Sequence, residues 1–108
     1  MVALSMALPL KAAERDFALD LEGDPGTPFN VVCIALRGDG TEARLSYAGG
    51  PPRIHTFRAE TARCSISKPP YYGRLDVRLL RDNAIVAKTK LPEGPGEAIL
   101  DSEGKAGE

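Results

Sequence analysis

Apolar and polar residues alternate along most of this chain with a period of two, in short runs that turn residues interrupt. Phe17, Leu19 and Leu21 alternate with Ala18, Asp20 and Glu22, the pattern of a strand with one face in a core and one in water. Ala43, Leu45 and Tyr47 repeat it, as do Ala62, Cys64 and Ile66. Leu75, Val77 and Leu79 against Arg74, Asp76 and Arg78 give the clearest amphipathic strand. The run 29–36 (FNVVCIAL) is apolar on both faces and predicts a central strand covered on both sides. Residues 53–60 (RIHTFRAE) alternate poorly, as an exposed edge strand does, and 84–91 and 97–101 complete the set.

The breaks between these runs have a physical cause. Gly permits backbone angles closed to other residues, and Pro donates no ladder hydrogen bond. Residues 23–28 (GDPGTP), 48–52 (AGGPP), 68–73 (KPPYYG) and 92–96 (PEGPG) are therefore connections. Arg37-Gly38-Asp39-Gly40-Thr41 predicts a hairpin, and Arg81-Asp82-Asn83 turns the chain into a second one. Some eight strands spaced by about ten residues, without a helical stretch, predict an all-β fold. The expected form is an antiparallel β-sandwich of seven to eight strands with an immunoglobulin- or fibronectin-like outline; a small β-barrel is the alternative. True immunoglobulin domains carry a core Trp between distant cysteines, and this chain has no Trp. The outline therefore implies architecture and no activity.

Length fits one domain, expected over residues 14–101 of the 108. Residues 1–10 (MVALSMALPL) are uncharged and mostly apolar, and small residues follow at Ala12 and Ala13. That resembles the second half of a secretory leader, so 1–13 is expected to be its remnant or a disordered arm. Residues 102–108 are small and charged and read as a disordered acidic tail. Cys33 and Cys64 are an even pair on alternating apolar faces, and a disulfide between them suits a small exported domain. The expected location is periplasmic or secreted; the alternative is a cytoplasmic protein with reduced thiols. The body lacks the 20-residue apolar run of a transmembrane helix.

Net charge is −1, but it is segregated: −3 over residues 1–36, +6 over 37–90 and −4 over 91–108. A basic middle offers two readings. In one its charges are balanced by the acidic ends within one fold; in the other Arg44, Arg58, Arg63, Arg74 and Arg78 form a cationic strand face for acidic polysaccharide or lipid head groups. Aromatics are only 6% of residues, too few for base stacking, which argues against nucleic acid.

Catalytic equipment is sparse. His55 is the only histidine, with Ser46, Ser65 and Ser67 as conceivable nucleophiles and no glycine-flanked elbow around any of them. Zinc needs three or four converging ligands, and no paired Cys or His spacing provides them. Asp20, Glu22 and Asp24 resemble the start of a calcium loop, yet Pro25 and Val31 stand where that loop requires Gly and Glu. No metal, cofactor or enzymatic activity is expected. Pro69-Pro70-Tyr71-Tyr72 matches the short P-P-x-Y ligand pattern, and its two tyrosines on a stiff loop form a candidate contact patch. The expected function is binding of a protein partner or an envelope component, through that loop or by strand addition along 53–60.

Overall fold

The computed structural model describes residues 14–69 and 73–104. They form eight strands: β1 Arg15–Gly23, β2 Phe29–Leu36, β3 Glu42–Gly49, β4 Arg53–Ala59, β5 Thr61–Lys68, β6 Leu75–Arg81, β7 Ala84–Leu91 and β8 Gly96–Asp101. Two four-stranded sheets result, sheet A in the order β4-β1-β6-β7 and sheet B in the order β3-β2-β5-β8. Every pairing is antiparallel. The architecture is a β-sandwich. Consecutive strands pair only in the hairpins β2–β3 and β6–β7; each other link passes from one sheet to the other.

Side chains of a strand point alternately to its two faces, so the sequence period becomes a core. Phe17, Leu19 and Leu21 from β1 and Leu75, Val77 and Leu79 from β6 line the inside of sheet A, all essentially without solvent contact. Phe29, Val31, Cys33, Ala62, Cys64 and Ile66 face them from sheet B. Phe57 of β4 stacks on Phe17 with ring centroids 5.5 Å apart, which extends the core toward the edge.

Cys33 and Cys64 stand opposite each other in the β2–β5 register and are joined by a disulfide, with Cα atoms 4.0 Å apart. The bond lies inside one sheet, unlike the inter-sheet bridge of immunoglobulin domains. Both cysteines are completely buried against sheet A.

The two hairpins close by different chemistry. In β2–β3, the Arg37 amide donates to the Thr41 carbonyl, and the Asp39 carboxylate accepts from the Thr41 amide and hydroxyl. In β6–β7, Asp82 and Asn83 have φ of 52° and 69°, the left-handed pair of a two-residue type I′ turn whose twist suits a hairpin. Gly23 ends β1 because nothing larger fits: a Cβ there would lie 2.2 Å from the Arg74 carbonyl oxygen.

Two features differ from the sequence expectations. The outward residues of β2 (Val32, Ile34 and Leu36) are only half-buried. A two-layer sandwich covers one face of its central strands, so the other is shaded only by side chains on β3 and β5. Ser102, expected in the tail, is 6% exposed; its hydroxyl accepts from the Ala62 amide and its own amide donates to the Ala62 carbonyl. Residues 1–13 and 105–108, the expected leader and the end of the tail, lie outside the described residues.

Candidate functional site

The charge segregation resolves through topology. Acidic β1 lies between basic β4 and β6, and the acidic C-terminal end runs beside β5. Each ion pair among the described residues joins the middle of the chain to one of its ends: Arg37–Glu14, Arg58–Asp16, Arg78–Asp20, Arg78–Glu22, Arg74–Asp24, Arg63–Asp101, Arg81–Glu103 and Arg15–Asp82.

The five candidate arginines do not converge. Arg58 and Arg78 point out from sheet A, Arg44 and Arg63 point out from sheet B, and Arg74 sits at the corner before β6. Arg44 and Arg63 flank Ile34 from opposite sides in register. Arg63 reaches Asp101 at 3.8 Å, whereas Arg44 has no ion pair among the described residues. Arg74 and Asp24 clamp the corner reciprocally, the Arg74 amide donating to the Asp24 carboxylate and the Asp24 amide to the Arg74 carbonyl. Tyr71 and Tyr72 lie outside the described residues.

On the outer face of sheet A, Asp20 is 7% exposed although it faces away from the core. One carboxylate oxygen accepts from Arg78; the other is buried without a partner. Glu22 lies 3.5 Å from the same guanidinium, so the first two acids of the calcium-like run are committed to Arg78 and the third to Arg74. A shallow depression of about 560 Å³ beside them is lined by Glu22, Asp76, Arg78, Ile85, Lys88 and Lys90, with both signs of charge interspersed. Among the described residues no group of three His, Cys, Asp or Glu side chains could hold a metal ion. Ser46, Ser65 and Ser67 face outward from sheet B, while His55 faces inward from sheet A, so the serines and the histidine do not meet.

The flank where β3 and β4 run beside each other is different. Neither edge is paired on its outer side: among the described residues β4 pairs with β1 alone and β3 with β2 alone. The two strands are linked through Gly50, Pro51 and Pro52, with a cis bond between the prolines. The Tyr47 and His55 rings stack across the seam at 3.9 Å and 14°. His55 Nε2 is buried with no hydrogen-bond partner. Desolvation, aided by the nearby Arg53 charge, lowers the His55 pKa below its ordinary value; burial raises that of Tyr47. Ile54 projects from β4 on the outer face at 65% exposure, the most exposed large apolar side chain among the described residues, with Thr56 beside it.

Sequence reasoning identified this strand as an edge but did not single out Ile54, and read Tyr47 only as an inward residue of its strand. The isoleucine's sign was present: in RIHTFRAE a β-branched apolar residue occupies a position whose strand neighbours on the same face are polar. Comparison of the chain with models of protein families finds no match, and comparison with curated proteins finds none either.

Proposed function

We propose that this chain is an exported, non-enzymatic binding module whose partner docks as an additional strand on β4. The observation that carries this reading is the contrast between β4 and the other three edges. Natural sheets guard their edges with charge, lysine above all, or with proline. Strand β7 presents Lys88 and Lys90 outward beside a less exposed Ile85, β8 is short and sets Glu97 and Asp101 on either side of Ile99, and β3 presents Glu42, Arg44 and Ser46. Strand β4 presents Ile54 and Thr56, and its outward Arg58 is turned back to Asp16 and to the Glu14 carbonyl.

An incoming strand would take its affinity from backbone hydrogen bonds and its specificity from alternate side chains. Its inner positions would lie against His55 and Phe57, favouring apolar or aromatic residues; its outer positions would lie beside Ile54 and Thr56. Export is supported by the buried disulfide, which persists in oxidising compartments, together with the apolar start of the chain. The rival reading, an anionic ligand on the arginines, has weaker support because four of the five already face a carboxylate.

The probe is a seven-residue peptide alternating valine and threonine with a glutamate at each end, titrated into ¹⁵N-labelled protein. Amide shifts concentrated in residues 53–59 are expected, and they should vanish with a peptide N-methylated at alternate residues. Shifts confined to other strands, or none at millimolar peptide, would overturn the reading.

A further inference from the structure

If β4 is a docking edge, its own sequence limits what fits there. Resting on that reading, we infer that the strand it accepts is β4 of a second copy of this chain, so that two sheets A join edge to edge. A two-fold axis perpendicular to the sheet keeps inner faces with inner faces only when the register is centred on a residue. Centred on Thr56, it uses all seven residues of β4. Arg53 then opposes Ala59 of the second copy, Ile54 opposes Arg58, His55 opposes Phe57, and Thr56 opposes its own equivalent.

Every one of these pairs is favourable or neutral by cross-strand chemistry. On the outer face the aliphatic stem of Arg58 covers the exposed Ile54, while its guanidinium remains directed to Asp16, 3.5 Å away in its own chain. On the inner face an imidazole meets a phenyl ring. No like charges are opposed.

The other edges do worse under the same operation. Strand β7 centred on Thr89 sets Lys88 against Lys90 of the second copy. Strand β8 is shorter and offers only five-residue registers: centred on Ile99 it sets Glu97 against Asp101, and centred on Ala98 it avoids that clash but gives two of its five positions to Gly96 and Ala98. Strand β3 has no such clash, but its outward residues Glu42, Arg44, Ser46 and Ala48 would bury little apolar surface. A seven-residue edge is a small interface, so the association is weak and concentration-dependent.

Sedimentation of the full chain from micromolar to millimolar concentration tests this. The weight-average mass should climb toward twice the monomer value. Thr56→Lys, an exposed outward position, should hold the chain monomeric with its melting temperature unchanged. Thr56→Cys should cross-link two chains under mild oxidation at least tenfold faster than Ile54→Cys, since only residue 56 meets itself at the axis. A chain monomeric at millimolar concentration, association that survives Thr56→Lys, or equal cross-linking rates would each overturn the inference. If the chain stays monomeric while the valine–threonine peptide still shifts β4 amides, the docking reading stands and only the second-copy inference falls.

Discussion

Sheets A and B have the same number of strands and the same antiparallel pairing, yet their centres are held from opposite sides. Sheet B is tied from within: its two central strands, β2 and β5, are joined by a disulfide that faces the core. On its outer surface Val32, Ile34 and Leu36 line β2, and the charge on β5, Arg63, pairs sideways with Asp101 of β8, so no ion pair ties β2 to β5. Sheet A is tied from without. Across its central strands β1 and β6, Asp20 and Arg78 oppose each other on the solvent side, with Glu22 on the same guanidinium. A covalent tie acts mainly by restricting the unfolded chain, whereas an ion pair acts on the folded sheet and depends on solvent. The two sheets should therefore respond to different agents: sheet B to reductant once unfolding exposes it, sheet A to charge removal.

The largest break in that comparison is removal of the bridge. Replacing Cys33 and Cys64 together by Ala should lower unfolding free energy by about 3–4 kcal/mol, from the loop-entropy relation for a bridge 31 residues apart. Urea unfolding measures it, and a loss below about 1 kcal/mol would show that the bridge is incidental to sheet B. Next comes Asp20→Ala. A fully buried pair costs about 3–5 kcal/mol when broken, but Arg78 is 43% exposed and recovers water, so about 1–2 kcal/mol is expected. Hydrogen exchange should place the accelerated amides in β1, β6 and β4 and leave β2 and β5 protected. Uniform acceleration across both sheets would erase the distinction.

The hairpins give a finer comparison, one in each sheet. Asn83, at φ 69° in sheet A, should cost about 1 kcal/mol on replacement by Ala and nothing on replacement by Gly, because the left-handed region penalises a Cβ without a local hydrogen bond. The turn in sheet B, closed by the Asp39 carboxylate on Thr41, should instead weaken when Asp39 is replaced by either residue, as thermal unfolding can show.

How much of this was legible in the sequence follows from what each feature depends on. Strand positions and inward residues are local, set by period-two alternation, so Phe17 through Leu21 and Leu75 through Leu79 were readable. The turns at 37–41 and 81–83 were readable because Gly, Asp and Asn have backbone preferences of their own. The pairing order was not. That Asp20 meets Arg78 depends on which strand lies beside β1, a contact 58 residues distant that alternation does not encode. The arginines looked like one face because they share a stretch of chain; four strands and a corner distribute them to both sides of the molecule. Ile54 went unnoticed because an exposed isoleucine on a ragged strand becomes informative only once the strand is seen to lack a neighbour.

The smallest expected effect lies where the two sheets touch, at the Tyr47–His55 stack between β3 and β4. Two forces act on the imidazole proton. A protonated ring stacked on tyrosine gains some cation–π attraction, whereas burial without an acceptor for Nε2, beside Arg53, opposes the charge. Among the described residues no carboxylate offsets this: His55 faces Leu19 on β1 and Tyr47 on β3, and Arg53 is the only charged neighbour on its own strand face. The folded-state pKa is therefore below the ordinary value of 6.5. Below about pH 6.5 the unfolded chain takes up the proton first, so the stabilisation from neutral His55 is complete above that pH and is lost as pH falls through the folded pKa. Because the chain has one histidine, its imidazole resonance can be followed without ambiguity. Its midpoint should fall under 6.5, with amide protection along 53–59 declining together with it, and His55→Phe should remove the decline while keeping the stacked ring. A midpoint above 6.5 would mean that stacking on Tyr47 outweighs burial, and the seam between the sheets would then tighten in acid where we expect it to loosen.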